Sequence, residues 1–360
     1  MSKLSTPTIP LVIGTYTEKL SHVNGTADGV LGADFDPAAG TLGPVRLLAA
    51  TRNPSWVAVD PSGSFLYAVD ENEHGGVAAY ARYPRTGALN ALGERPSGGV
   101  DPCHLLLHPE GRFLLVANYG TGTVSVLPRR PDGSLGEPVS SVRPTGSGPL
   151  PRQEGPHAHM VALDPVTGLV LVVDLGRDAV TGYALDQAGL LTAVPGASVT
   201  LPPGTGPRHL AFSGNAERLY VVSELSNTVT VLTREGEGPG FRISGSRSTL
   251  PAGHTGDSGA AAIRISASGR LLFASNRGHD SIAVFRVDPA DGSLTLATVE
   301  PAHGQGPRDL LPSPDGRYLL TACQDTGSVQ VFAVDENEAT LTHHHSAPVP
   351  TPVSLVFPAG

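Results

Sequence analysis

Residues 101–119 read DPCHLLLHPEGRFLLVANY, which is a short apolar stretch, a turn built on Pro109 and Gly111, and a second apolar stretch. Proline fixes φ and glycine adopts positive φ, so this turn brings the two stretches side by side as antiparallel strands. The same plan returns at 306–325 as GPRDLLPSPDGRYLLTACQD. A strand–turn–strand unit that recurs within one chain indicates a repeat architecture.

Four more segments follow this plan, and they begin at positions 53, 155, 206 and 259. Aligned on the first turn, the six units are spaced at intervals of 48, 56, 49, 53 and 47 residues; the aligned residues are Pro61, Pro109, Pro165, Gly214, Ala267 and Pro314. Each unit continues into a polar turn, a third strand with alternating apolar residues, and usually a weaker fourth strand. Four strands at this period are typical of a β-propeller blade.

The two ends of the chain supply a seventh blade. LVIGTYT at 11–17 matches a second strand and lacks a first strand before it, whereas PVSLVFP at 352–358 matches a first strand and then stops. A blade shared between the two ends closes the ring without an open sheet edge. We therefore expect an all-β, seven-bladed β-propeller of four-stranded blades, with a flexible segment over 1–10 and one domain over 11–360.

Composition supports this interpretation and narrows the function. Gly 44 and Pro 33 suit short strands joined by turns and argue against a helix bundle. A net charge of −9 without a Lys/Arg block disfavours nucleic acid and anionic membranes as partners. The two cysteines, Cys103 and Cys323, form no CxxC pair, and the chain has no signal-like start and no long apolar run. We expect a cytoplasmic protein, either a monomer or a weak homo-oligomer.

Polar and ionisable residues collect where first strands begin and second strands end, and these positions meet at one mouth of a propeller channel. Those that end second strands are Tyr16, Asp70, Asn118, Asp174, Glu224, Asn276 and Cys323. Those that enter first strands are Trp56, His104, His157, His159, Arg208, His209, Arg308 and Asp309. Arg277 follows Asn276 directly, and Arg264 lies within a first strand, where an arginine is expected only if it points into the channel.

Four of these side chains have the chemistry for ester cleavage, and we expect them to be catalytic: His159, Arg208, Glu224 and Arg277. A histidine and a carboxylate act as general base or acid, while two guanidiniums bind an anion and stabilise an oxyanion. The chain has no G-x-S-x-G motif, so water is the expected nucleophile. His157 stays open as an alternate to His159, and Arg264 as an alternate to Arg277.

The other residues expected at the mouth are assigned to substrate binding: His104, His157, His209, Arg264, Arg308, Asp70, Asn118, Asp174 and Asn276. A structural role is an alternative for several of them, since Asn and Asp also form and close polar turns. His157 and His159 share a strand face but lack a clear third and fourth ligand, so no metal and no cofactor are expected.

Three strings resemble the lactonase-type seven-bladed propeller family, which includes bacterial cycloisomerase-like 6-phosphogluconolactonases and fungal carboxy-muconate lactonizing enzymes. They are HAHMVALDP (157–165), GPRHLAFS (206–213) with VVSELSNTVTV (221–231) after it, and IRISASGRLLFASNRGHDSIAVF (263–285). The resemblance covers 11–358 and implies metal-independent esterase or lyase chemistry on sugar or muconate lactones. In the muconate branch a His, an Arg, a Glu and a second Arg are catalytic, and their counterparts here are His159, Arg208, Glu224 and Arg277.

Three functions follow as hypotheses. The first is a carboxylic ester hydrolase that converts 6-phosphogluconolactone to 6-phosphogluconate in the pentose phosphate pathway, with a small anionic lactone as its partner. The second is a muconate-type cycloisomerase or another lactonase. The third is a non-catalytic propeller that binds a ligand or protein. Three or four converging arginines would favour a phosphate, and two beside an apolar wall would favour a muconate-like acid.

Overall fold

The chain, described by a computed structural model over residues 8–83, 86–236 and 238–358, forms seven antiparallel sheets that are the blades, together with one separate two-stranded hairpin. Six sheets have four strands, and the seventh adds a short fifth strand. First strands of successive blades contact one another around the ring, so they line a central channel. The all-β, seven-bladed architecture expected from the repeat is confirmed. Within the described ranges, helical structure is limited to a 3₁₀ turn at Pro151–Gln153, and no helix there is suited to crossing a membrane.

Blades 1 to 6 follow the chain, each from its inner to its outer strand. Blade 1 comprises β7 (Val57–Val59), β8 (Phe65–Asp70), β9 (Gly76–Arg82) and β10 (Leu89–Pro96). Blade 2 comprises β11 (Pro102–Leu107), β12 (Phe113–Asn118), β13 (Thr123–Pro128) and β14 (Ser140–Val142). Blade 3 comprises β15 (Ala158–Leu163), β16 (Val170–Asp174), β17 (Ala179–Leu185) and β18 (Leu191–Thr200). Blade 4 comprises β19 (Pro207–Phe212), β20 (Arg218–Ser223), β21 (Thr228–Arg234) and β22 (Phe241–Ser248). Blade 5 comprises β23 (Gly259–Ile265), β24 (Leu271–Arg277), β25 (Ser281–Val287) and β26 (Leu294–Pro301). Blade 6 comprises β27 (Pro307–Pro312), β28 (Tyr318–Cys323), β29 (Ser328–Asp335) and β30 (Thr340–Pro348).

Blade 7 joins the two ends of the chain. Its strands are β31 (Pro352–Val356), β1 (Ile9–Thr15), β4 (Gly29–Asp36), β5 (Thr41–Leu42) and β6 (Arg46–Ala50). β31 pairs antiparallel with β1, with Val12 opposite Val356, which is the shared blade expected from the sequence. Between β1 and β4 the chain forms an extra hairpin of β2 (Lys19–Leu20) and β3 (Val23–Asn24). Of the expected segment 1–10, residues 1–7 lie outside the described residues, and β1 begins at Ile9.

The blades pack face to face through apolar clusters that draw on neighbouring sheets. One such cluster joins Leu11 and Phe35 of blade 7 to Leu320 and Val331 of blade 6. The alternation of the strands produces this arrangement, because both faces of every middle strand meet another blade. Each blade is thus held by its neighbours, and the channel mouth is a fixed ring of strand ends.

Most inner strands carry a β-bulge one residue after they begin. Pro102 pairs with Asn118 while His104 pairs with Ala117, so Cys103 is the extra residue. The same shift makes His159, Arg208 and Arg308 the extra residues of blades 3, 4 and 6. A bulge bends its strand and re-aims a side chain, and such irregularities are common beside active sites.

Candidate active site

A cavity of about 420 Å³ opens at the end of the channel where inner strands begin and second strands end. Its volume lies in the range of small-molecule sites. Two kinds of position supply most of its lining: bulge residues of inner strands, and residues just after the second strands. The lining residues are His22, Glu71, Cys103, Tyr119, Arg152, His159, Glu224, Arg277 and Arg308.

Glu224 lies at the centre of the catalytic set, where three arginines surround its carboxylate. Oε1 accepts a hydrogen bond of 2.7 Å from Nη1 of Arg152. Oε2 lies 2.9 Å from Nη2 of Arg277 and 3.2 Å from Nε of Arg208. The Arg208 contact is an ion pair outside hydrogen-bond alignment, since its Nε has no hydrogen-bond partner in the described structure. Arg152, Arg208 and Arg277 thus converge from three blades or loops on one buried group.

This arrangement fixes the charge of both partners. Burial raises the pKa of Glu224, but the three guanidiniums outweigh that effect and hold its pKa well below the ordinary value. Burial, with the charges of Arg277 and Arg308, lowers the pKa of Arg208 to about 9. Glu224 is therefore a carboxylate and Arg208 a guanidinium at neutral pH, so one negative charge faces three positive ones.

Arg208 is buried behind Glu224, at 3 % exposure, and does not line the cavity. Its Nη1 donates to the carbonyl of Ala261 at 2.8 Å. We expected this side chain to contact substrate, but its position fits holding Glu224 in place. Arg277, by contrast, lines the cavity and donates through Nε to the carbonyl of Gly259.

The structure separates the two histidines of the HAH string. His159 lines the cavity, and its Nδ1 lies 3.9 Å from Sγ of Cys103. His157 faces away, with Nδ1–H donating to the carbonyl of Tyr119 at 2.9 Å and Nε2 at 3.1 Å from Glu154. Burial, supported by the charge of Arg208, lowers the pKa of His159 well below its ordinary value. His159 is therefore a neutral imidazole at neutral pH and can accept a proton.

The opposite wall carries a second polar network. Arg308 donates through Nη2 to the Tyr16 hydroxyl at 2.9 Å, and that hydroxyl donates to Oε1 of Glu71 at 2.7 Å. Ser55 donates to the other oxygen of Glu71. His22, on the β2–β3 hairpin, lies above this wall with Nε2 at 3.3 Å from the Tyr16 hydroxyl. Arg308 has no carboxylate within ion-pair distance in the described ranges, so its charge remains available to a ligand.

Four residues assigned to substrate binding lie outside the cavity lining, and their hydrogen bonds show structural roles. Asn118 and Asn276 are fully buried, and their side-chain amides bond to Thr123 and Thr249 respectively. Asp174 accepts backbone N–H groups of the turn that follows it, and Asp70 pairs with Arg52. Their positions agree with the alternative role considered from the sequence, in which Asn and Asp side chains close polar turns.

The residues predicted at the ends of second strands miss the cavity because most of them lie one position before the residue that lines it. Successive residues of a strand face opposite sides, so the residues after Asp70, Asn118 and Asn276 reach the cavity instead, whereas Leu175 after Asp174 does not line it. Glu71 and Tyr119 follow Asp70 and Asn118, just as Arg277 follows Asn276 and Glu224 follows Ser223. Counting Glu224 and its structural equivalents with the same offset would have identified Glu71 and Tyr119 from sequence.

His104, His209 and Arg264 lie deeper in the channel. Trp56 stacks against His104 with ring centroids 4.2 Å apart, and His209 lies 5.6 Å from His104 and 5.2 Å from His159. Arg264 pairs with Asp309 at 2.8 Å. These residues support the cavity from below, and of the nine assigned to substrate binding only Arg308 lines it.

Arg152, on the 3₁₀ turn, is a cavity residue that repeat counting could not find, because it lies in a loop outside the strand pattern. His22 belongs to the hairpin inserted in blade 7 alone, so no other unit has an equivalent position. Across the described residues, no three His, Cys, Asp or Glu side chains are grouped as a metal ion would require.

Comparison with known proteins shows that the chain is similar to lactonases along almost its whole length. The family described as "Lactonase, 7-bladed beta-propeller" matches residues 10–357. The chain is 36 % identical to a 6-phosphogluconolactonase of Bacillus subtilis over 96 % of this chain and 97 % of the relative. It is 28 % identical to a 6-phosphogluconolactonase of Formosa agariphila over 92 % of this chain and 94 % of the relative. A solved structure, a periplasmic gluconolactonase of Pseudomonas aeruginosa, superposes with a TM-score of 0.91 at 34 % identity, covering 98 % of this chain and 99 % of that one.

Proposed function

The chain belongs to the family of seven-bladed β-propeller lactonases, and from this premise we propose that it hydrolyses a sugar δ-lactone, with 6-phosphoglucono-δ-lactone as its preferred substrate. The product is then 6-phosphogluconate, as in the pentose phosphate pathway. The observation that supports a phosphorylated substrate is the number of cations: three arginines line the cavity and a fourth lies behind Glu224. That number favours a phosphate over a muconate-like acid.

Arg308 is the guanidinium best suited to the phosphate. Arg152, Arg208 and Arg277 share the charge of Glu224, whereas Arg308 has only neutral partners at hydrogen-bond distance, Tyr16 and Gln324. Arginine binds phosphate oxygens through two parallel N–H groups, which makes such contacts stronger than neutral hydrogen bonds. A phosphate on the substrate would therefore be held at the wall formed by blades 6 and 7.

The cavity residues provide a metal-independent route for hydrolysis. His159, as a neutral imidazole, takes a proton from water as the water oxygen attacks the lactone carbonyl carbon. Arg277 and Arg152 stabilise the oxyanion of the tetrahedral intermediate. Glu224 was a candidate base alongside His159, but three guanidiniums contact its two carboxylate oxygens, so its role is to hold those guanidiniums in position.

Hydrolysis of an unphosphorylated aldonolactone is the second candidate. It is favoured by the similarity to the Pseudomonas aeruginosa gluconolactonase, which matches this chain along almost its whole length. The two substrates differ only in the phosphate, so their relative rates separate the candidates. Because that protein is periplasmic, the cytoplasmic location expected from the sequence remains a proposal.

The test compares kcat/KM for 6-phosphoglucono-δ-lactone, made in situ, with that for glucono-δ-lactone, each corrected for spontaneous opening and measured with and without EDTA. We expect EDTA-resistant acceleration of both and a preference for the phosphorylated lactone. Arg308→Gln should reduce that preference about 10- to 100-fold, the effect of losing a charge-assisted contact. Arg112→Gln, at an exposed Arg–Glu pair, is the matched control. Equal rates for both lactones in the wild type would favour the second candidate, and no acceleration of either would exclude both.

A further inference from the structure

Lactone hydrolysis needs a second proton transfer, to the leaving ring oxygen, in addition to the one that His159 accepts from water. When the tetrahedral intermediate collapses, the bond between the carbonyl carbon and the ring oxygen breaks, and the ring oxygen leaves as an alkoxide. An alkoxide is a strong base, so a group that donates a proton during this step accelerates it. This donor is required only if the chain hydrolyses a lactone, so its identity rests on the proposed function.

Apart from the His159 imidazolium formed in the first step, few cavity residues have a proton to give. The Cys103 thiol is enclosed by backbone carbonyls, including that of His159 at 3.5 Å, and burial raises its pKa. His22 lies beside Tyr16 and Glu71, and burial, with the charge of Arg308, lowers its pKa to about 4. Both carboxyl oxygens of Glu71 accept hydrogen bonds, from Tyr16 and Ser55, and Glu224 accepts from Arg152. Tyr119 is the remaining lining residue with a neutral O–H group.

The hydroxyl of Tyr119 is arranged as a donor toward the cavity. Its oxygen accepts a hydrogen bond of 3.1 Å from Nη2 of Arg152, the same guanidinium that binds Glu224. No acceptor for its own hydrogen is present in the described ranges. Burial raises the pKa of Tyr119, with Arg152 opposing the shift, so the phenol keeps its proton at neutral pH. Arg152 would also stabilise the phenolate that remains after donation.

His157 holds the Tyr119 ring in this position. The two rings stack with centroids 4.6 Å apart and an interplanar angle of 24°. His157 also donates to the backbone carbonyl of Tyr119 at 2.9 Å. On the other side, the ring of His159 meets Tyr119 edge to face at 5.6 Å. The proposed base and the phenol are therefore neighbours on one wall, with His157 behind them.

We propose that Tyr119, whose ring stacks on His157, is the general acid that protonates the leaving ring oxygen. His159 first takes one proton from the attacking water as the new C–O bond forms. Tyr119 then gives its proton to the ring oxygen as the carbon–ring-oxygen bond breaks. The His159 imidazolium returns its proton to the phenolate through solvent. The hydroxy acid formed ionises, so one lactone and one water yield a hydroxycarboxylate and a proton.

Tyr119→Phe tests this proposal because it removes the hydroxyl and keeps the ring that stacks on His157. We expect kcat for glucono-δ-lactone to fall about 100-fold, the lower range for loss of a general acid, with KM within about threefold of wild type. Tyr220→Phe is the matched control, since this buried tyrosine bonds to the Gly292 carbonyl far from the cavity. Its kcat and KM should both match wild type. Circular dichroism and the thermal midpoint establish that both variants fold.

The outcomes are distinct. A wild-type enzyme that accelerates lactone opening while Tyr119→Phe retains kcat within threefold would overturn the assignment of Tyr119 and leave the proposed function intact. A rise in KM with unchanged kcat would overturn it too, because the hydroxyl would then only bind substrate. A wild type without lactonase activity would instead remove the proposed function on which the assignment depends.

Discussion

At Glu224 a single carboxylate receives three guanidiniums, and each of those arginines also depends on it. Arg152 and Arg277 face the cavity, so their positions are set by the group they share. Removing one partner from a buried charge network leaves uncompensated charge, which costs more than the net value of any one pair. The function of Glu224 is thus inseparable from the geometry of the arginines.

Glu224→Gln should lower kcat/KM for glucono-δ-lactone on the order of 100-fold or more, because Arg152 and Arg277 lose the anion that aims them at the oxyanion. Steady-state kinetics on the folded variant measures this. Glu110→Gln, which removes an exposed carboxylate paired with Arg112, is the control and should leave kcat/KM unchanged. A value for Glu224→Gln within threefold of wild type would contradict the assigned role.

The pH dependence of catalysis reports on His159. Its pKa is lowered by burial and by Arg208, so the base form persists as pH falls through the ordinary histidine range. We expect kcat/KM for glucono-δ-lactone to stay level from pH 8 to pH 6 and to fall only at lower pH, as His159 takes up a proton. The unphosphorylated lactone is used because a phosphate titrates near pH 6. Half-loss of activity near pH 6.5 would show that His159 is not the base, or is not buried as described.

At the scale of strands and turns, six blades have the same conformational requirement: the residue just before the third strand has a positive φ angle. Those residues are Gly75, Gly122, Asp178, Asn227, Asp280 and Gly327, with φ between 51° and 67°. Glycine, asparagine and aspartate tolerate this conformation best. Three of the side chains also bond to the loop that enters the next blade, as Oδ1 of Asp280 does to the N–H of Gly306 at 2.8 Å.

Asp280→Ala should therefore destabilise the protein by roughly 2–3 kcal/mol, from the strain of positive φ together with the lost hydrogen bond. Asp280→Gly keeps the backbone conformation and should cost about 1 kcal/mol. Urea unfolding of both variants measures the difference. Asp288→Ala, at an exposed turn, serves as control. Equal losses for the alanine and glycine variants would rule out backbone strain as a cause.

The same strands show how far sequence reasoning reaches. Blade number, the shared blade, and the convergence of His159, Arg208, Glu224 and Arg277 follow from repeat spacing and strand order, because these are properties of the pattern. The direction in which the side chains of Asp70 and Asn118 point does not follow from the pattern, because one bulge or an offset of one residue moves a side chain to the opposite face of the strand. Arg152 and His22 lie on a turn and a hairpin that no repeat unit specifies, so only the folded chain brings them to the cavity.

At the scale of the whole molecule, the channel axis is occupied by neutral imidazoles from blades 2, 3 and 4. Burial lowers the pKa of His104 to about 3, and the pKa values of His159 and His209 also lie well below the ordinary value. Neither ring nitrogen of His209 has a hydrogen-bond partner in the described structure. Protonating any of these buried rings would add a positive charge near Arg208.

This gives stability a definite pH dependence. An unfolded histidine takes up a proton near pH 6.5, whereas these three do so only at much lower pH, so the unfolded state binds more protons in between. The free energy of unfolding should fall as pH drops below 6.5, by about 1.4 kcal/mol per pH unit for each buried imidazole. His209→Leu should reduce that slope by the share of one group, while His74→Gln, at an exposed site, should leave it unchanged. Urea unfolding at pH 7, 6 and 5 measures the slope; an identical slope in His209→Leu and wild type would mean that His209 is protonated or hydrated in the folded protein.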